Sequence, residues 1–145
     1  MKYCKFIFFL LLMNFNIEAV IANDKPIAPE NITGAVAVNA EELVKLIYSN
    51  PGLVLIDSRK NTEYLKGHIE GSVNILNTQI SKDVLKKHVA DKNSAVLFYC
   101  NGPRCMRSTD SVKKALGWGY KNIFWFRGGW QEWSDKKLPV VTGKQ

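Results

Sequence analysis

The chain has 145 residues, of which 46% are hydrophobic, with 20 Lys and Arg against 13 Asp and Glu for a formal charge of +7. That length holds one core and excludes a second domain of ordinary size, since domains commonly run to about 100–150 residues. The basic residues are scattered, with no Lys/Arg-rich run interleaved with aromatics, which argues against a nucleic-acid surface and leaves small anionic substrates compatible with the chain.

Met1 to Lys5 carry Lys2 and Lys5, and Phe6 to Met13 form an unbroken apolar run. A bilayer takes about 20 apolar residues, so the run is too short to span one. Val20-Ile21-Ala22 then places small or modest side chains before the polar pair Asn23-Asp24, as at a signal-peptidase cut. Residues 1–22 therefore read as a secretory signal, and the mature protein as periplasmic or secreted with no stable membrane association. A retained N-terminal anchor is the alternative, although Glu18 and the nearby asparagines shorten its apolar stretch. Cys4 precedes the apolar run and leaves with the signal.

Without Lys2, Lys5 and Glu18 the mature chain keeps 18 basic and 12 acidic side chains, a formal charge of +6. It also keeps two cysteines, Cys100 and Cys105, in a compartment where disulfides persist. Two are too few for a disulfide scaffold.

Residues 23–33 carry Pro, Asn and Asp with no period and are expected to form a mobile leader. Val36 to Val38 predicts a short strand, followed by Asn39 as the N-cap of a helix with Leu43, Leu46 and Ile47 at helical spacing. Asn50-Pro51-Gly52 ends it, and Leu53 to Ile56 is a continuous apolar run of the kind buried on both faces of a sheet. A helical piece at Thr62–Lys66, a turn at Gly67–Gly71, a strand at Val73–Ile75 and a helix at Lys82–Val89 follow. Ala95 to Tyr99 predicts a second fully buried strand ending at Cys100, and Ser108 the cap of a helix burying Val112, Ala115 and Leu116. Ile123 to Phe126 makes the last strand, Gly128-Gly129 a tight turn and Trp130 to Lys136 a closing helix. Strands alternating with helices predict a parallel sheet covered on both faces, with a ligand crevice beyond the carboxyl ends of the strands, where Cys100 falls.

From Cys100 to Thr109 the sequence reads Cys-Asn-Gly-Pro-Arg-Cys-Met-Arg-Ser-Thr, with two arginines and no carboxylate. A curved, Gly-containing loop at a helix start gathers unpaired backbone N–H groups into a cradle for an anion. A thiol there is expected to ionise below its free value of about 8.5 and to become a nucleophile. The same cradle suits a persulfide anion, which divides sulfur transfer into capture and release.

Leu55-Ile56-Asp57-Ser58-Arg59, Glu63-Tyr64-Leu65 and Gly67-His68-Ile69-Glu70-Gly71-Ser72, with Tyr99-Cys100 and its loop, Gly119-Tyr120, Gly128-Gly129-Trp130 and Trp133, together resemble a rhodanese-like domain. The resemblance covers nearly all of residues 34–141, leaving 142–145 as a tail. It implies a three-layer α/β domain with a central, mostly parallel five-stranded sheet and helices on both faces. The implied activity is sulfur transfer through a cysteine persulfide, from a small anionic donor such as thiosulfate to a thiol or protein acceptor, with no cofactor and no metal. By position the nucleophile is Cys100. The family's loop places an arginine five residues after that cysteine, whereas Arg107 comes seven after Cys100, so the loop is two residues longer and Cys105 stands as the alternative.

The loop residues Asn101, Gly102, Arg104, Met106, Arg107 and Ser108 are expected to bind substrate, with Arg59, which the resemblance places near the site. Asp57 and Arg59 also read as a structural ion pair, His68 as a turn residue, His88 as a solvated helix residue, and the four tryptophans as core. Three other functions stay open: a Cys100/Cys105 redox pair, a sulfur carrier without turnover, and a phosphatase or arsenate reductase of the same fold. The last is weakened by Tyr99 standing where a His precedes the cysteine in those enzymes. Two scattered histidines give a zinc site little support.

Overall fold

The computed structural model describes residues 25–144, so the expected signal at 1–22 lies outside the described residues. Five strands form one sheet in the order β1-β5-β4-β2-β3: β1 is Ala35–Val38, β2 Val54–Asp57, β3 Ser72–Asn74, β4 Val96–Tyr99 and β5 Ile123–Phe126. Every pairing among them is parallel. Between and after them run α1 (Ala40–Ser49), α2 (Asn61–Tyr64), α3 (Lys82–His88), α4 (Arg107–Gly117) and α5 (Gly129–Asp135).

The alternation of side chains along the central strand explains its all-apolar sequence. In β4, Val96 and Phe98 join a core with Leu85 of α3 and Val112 and Ala115 of α4. Leu97 and Tyr99 point to the opposite face, with Leu43 of α1 and Trp133 of α5. All four β4 residues are fully buried, as a strand covered by helices on both sides requires.

Helix α1 starts as its sequence predicts. Asn39 Oδ1 accepts from Glu42 N at 2.9 Å, and Glu42 Oε2 accepts from Asn39 N at 2.8 Å, a reciprocal cap. Ser108, expected as the cap of α4, is instead the second residue of that helix, and Met106 takes the cap position without a side-chain bond. The helix thus begins earlier, at Arg107, and the Ser108 hydroxyl turns inward to Cys100 Sγ and Trp125 Nε1.

Residues 25–33 form no helix or strand, yet they do not lie loose as expected. Ala28 and Ile32 are buried in the core on the α3/α4 face, and Ala28 N donates to Pro103 O at 2.7 Å. At the other end, Gly143 N donates to Leu65 O at 2.9 Å, so part of the expected tail is pinned as well.

Candidate active site

The carboxyl ends of β2, β4 and β5 deliver Asp57, Cys100 and Arg127 to one edge of the sheet. The loop leaving β4 is held from below by the start of α5. Trp130 N donates to Cys100 O at 2.8 Å and Gln131 N to Asn101 O at 2.9 Å. Gly129 makes this approach possible: its φ is +56°, and a Cβ there would stand 2.2 Å from Cys100 O. The Gly-Gly-Trp segment is thus a seat for the cysteine loop, which a side chain would push away.

From the side, Glu63 of α2 fixes the loop. Its carboxylate accepts from Asn101 Nδ2 at 2.7 Å and from Arg107 Nη1 at 2.9 Å. Burial pushes the Glu63 carboxyl up, but the Asn101 and Arg107 contacts outweigh it and hold the group below its ordinary range. Sequence reasoning placed Glu63 in a motif without giving it a role in the site; one carboxylate on a short helix carries no local signal of a partner 44 positions away.

The two cysteines stand differently. Both are free thiols, with Cys100 buried and Cys105 half-buried. Cys100 Sγ donates to Cys105 O at 3.0 Å and lies 3.1 Å from Ser108 Oγ. Its bond to Cys105 and its burial both push the Cys100 thiol up. Cys105 is drawn down to about 6, first by the neighbouring Cys100 thiol, then by the backbone N–H groups of Asn101 and Arg107 and the Arg107 charge. The two thiols are thus shifted in opposite directions, Cys100 up and Cys105 down, which draws the charge of the pair toward Cys105, the alternative nucleophile, and away from the thiolate expected at Cys100.

Cys105 opens into a cleft of about 510 Å³ that Asn101, Gly102, Arg104, Met106 and Arg107 also line. Five of the seven residues expected to bind substrate thus share one cavity with a thiol. Ser108 and Arg59 do not line it. Ser108 is buried beneath Cys100, accepting from Trp125 Nε1 at 3.1 Å. Arg59 is 1% exposed and faces inward. Its Nη2 donates to Asp57 Oδ2 at 2.6 Å and to Gly67 O at 2.7 Å, and its guanidinium lies 4.4 Å from the Trp130 ring. It is the structural ion pair the sequence also suggested, and it supports the seat of the loop from within.

Neither histidine enters the site. His68 is buried, stacked on Tyr64 with its Nδ1 2.9 Å from Tyr64 O, and His88 is exposed. Lys25, Pro26, Asn77, Asp110 and Gln131 complete the cleft wall. None of these stood out in the sequence, because they come from separate segments brought together only by the fold.

The Rhodanese-like domain family matches this chain over residues 39–136. Uncharacterized protein YibN of Escherichia coli is 26% identical over 116 residues, covering 79% of each chain. A putative mitochondrial thiosulfate sulfurtransferase of Schizosaccharomyces pombe is 36% identical over 95 residues, covering 57% of this chain and 64% of its own length. The crystal structure of the BH2092 protein from Bacillus halodurans superposes with a TM-score of 0.67 at 23% identity, covering 74% of this chain and 77% of that one. The parallel sheet, the cysteine loop at its carboxyl edge and the family match over residues 39–136 agree that this chain belongs to the rhodanese-like domain family.

Proposed function

We propose that the chain is a sulfurtransferase that carries sulfane sulfur as a persulfide in the β4–α4 loop. The observation that supports this best is the half-buried Cys105 thiol opening into a cleft lined by Arg104 and Arg107, surroundings that draw it down toward about 6. At neutral pH such a thiol is a thiolate, the form that attacks sulfur.

In the first step the Cys105 thiolate attacks the outer sulfur of thiosulfate. A new S–S bond forms, the S–S bond of the donor breaks, and sulfite leaves with the electron pair. The Asn101 and Arg107 amides then face the terminal persulfide anion. In the second step an acceptor nucleophile takes the terminal sulfur and Cys105 leaves as the thiolate, so no outside oxidant or reductant is required. With thiosulfate and cyanide the protein is expected to yield one sulfite and one thiocyanate per turnover. Absence of thiocyanate with thiosulfate and with organic persulfide donors would remove the proposal.

A second reading, a redox cycle through a Cys100–Cys105 disulfide, is favoured by the contact between the two cysteines, both free thiols, with Cys100 Sγ donating to Cys105 O at 3.0 Å. Thiol counting after incubation with an oxidising disulfide and no reductant separates the two: sulfur transfer needs both thiols free at rest, whereas the oxidative half of a redox cycle leaves neither, their two electrons having passed to the added disulfide. We further place this activity outside the cytoplasm, on the strength of the charged start, apolar run and Ala22 boundary of residues 1–22.

A further inference from the structure

The segment ahead of β1 is built into the active site. Ala28 is buried and its N–H donates to Pro103 O of the cysteine loop at 2.7 Å. Arg127, between β5 and α5, grips the same segment from the other side, with Nε donating to Pro29 O at 2.8 Å and Nη2 to Ala28 O at 2.9 Å. These three bonds tie the segment to the two pieces of backbone that define the site. Its outer end, Lys25 and Pro26, forms a wall of the cleft that Cys105 lines.

The distribution of charge around the cleft shows what this wall contributes. Arg107 is bonded to Glu63 at 2.9 Å, so its charge is shared. Asp110 is occupied by Lys114 at 2.9 Å and by Asn77 Nδ2 at 2.9 Å. Among the described residues, Lys25 and Arg104 line the cleft as exposed cations with no ion pair or side-chain hydrogen bond.

We infer that Lys25–Pro29 is a fixed strap of the active site and that Lys25 is a donor-binding residue, which together with Arg104 grips the anionic end of the sulfur donor while its outer sulfur meets Cys105. Arg127 is the positioning residue that holds the strap. The inference rests on the sulfur-transfer reading for its substrate but not for its geometry.

Two sets of measurements test it. In thiosulfate turnover, Lys25→Gln is expected to raise KM about threefold with little change in kcat, as for loss of one exposed charge contact, and Lys25→Arg to restore it. The second set needs no sulfur chemistry: alkylation of Cys105 by anionic iodoacetate is compared with alkylation by neutral iodoacetamide. Lys25→Gln lowers the ratio of the two rates about threefold and leaves the neutral reagent unaffected. Arg127→Gln lowers the same ratio and also speeds the neutral reagent as the wall loosens. Should wild type form no persulfide, the substrate reading falls and the alkylation ratio still decides the strap. An unchanged ratio in both variants overturns the strap whether or not sulfur is transferred.

Discussion

Replacing Gly129 with Ala tests how closely the loop and its seat are fitted. The added Cβ would lie 2.2 Å from Cys100 O and 3.0 Å from both Cys100 C and Gly102 N, all backbone atoms that cannot rotate away. The φ of +56° adds the left-handed penalty for a residue with a side chain, about 1–2 kcal/mol. Forcing a methyl into a packed site costs about 1–3 kcal/mol, and the bonds from Trp130 N and Gln131 N into the loop, worth about 1 kcal/mol each, stretch as the loop retreats. The expected loss is about 3–5 kcal/mol. Gly71→Ala is the control, because Gly71 has a φ of +76° but nothing within 4 Å of the added atom. It pays only the backbone penalty, about 1–2 kcal/mol. Urea unfolding with a common slope measures the difference, expected at about 0.5–2 M in midpoint for a slope near 2 kcal/mol/M. If Gly129→Ala proved only as destabilising as Gly71→Ala, within about 0.5 kcal/mol, the close seat would be refuted.

The pH dependence of Cys105 alkylation should follow a midpoint of about 6, with the rate rising as pH rises through it and level above neutrality. Cys100→Ala removes the hydrogen bond that lowers Cys105 most, so its midpoint should move upward toward the ordinary thiol range; a midpoint that stays near 6 would contradict the pairing. Arg59→Met strands the buried Asp57 carboxylate and should cost about 3–5 kcal/mol by urea unfolding, with Asp57→Asn in the same chain recovering part of the loss. Ser108→Ala leaves the Trp125 indole N–H without its acceptor and should cost about 1–3 kcal/mol, while the Cys105 thiol remains open to reagent.

Much of this architecture is written in short-range patterns. Val96 to Tyr99 reads as a strand buried on both faces because no polar residue interrupts it, and both sheet faces do cover it. Asn39 and Glu42 carry their own cap within three residues, so the start of α1 is legible locally. What escaped depends on contacts far apart in the chain. Ala28 and Ile32 are two apolar side chains in a segment of Pro and Asn without periodicity, and only the fold supplies Pro103 and Arg127 to hold it. Arg59 carries a charge that suits an anion site, yet whether it faces the cleft or the core is decided by the packing of Trp130 and the turn at Gly67. The two cysteines were both visible as candidates. Which backbone amides meet which sulfur, Ser108 at Cys100 and Asn101 and Arg107 at Cys105, is set by the path of the loop, and no spacing rule reports that path.

The central claim is that Cys105 holds the thiolate and takes the sulfur. Intact mass spectrometry after loading with thiosulfate tests it on wild type, Cys100→Ala and Cys105→Ala. One added sulfur, about 32 Da, is predicted on wild type and on Cys100→Ala and none on Cys105→Ala. Sulfur retained by Cys105→Ala but lost from Cys100→Ala would return the chemistry to the buried cysteine and contradict the account.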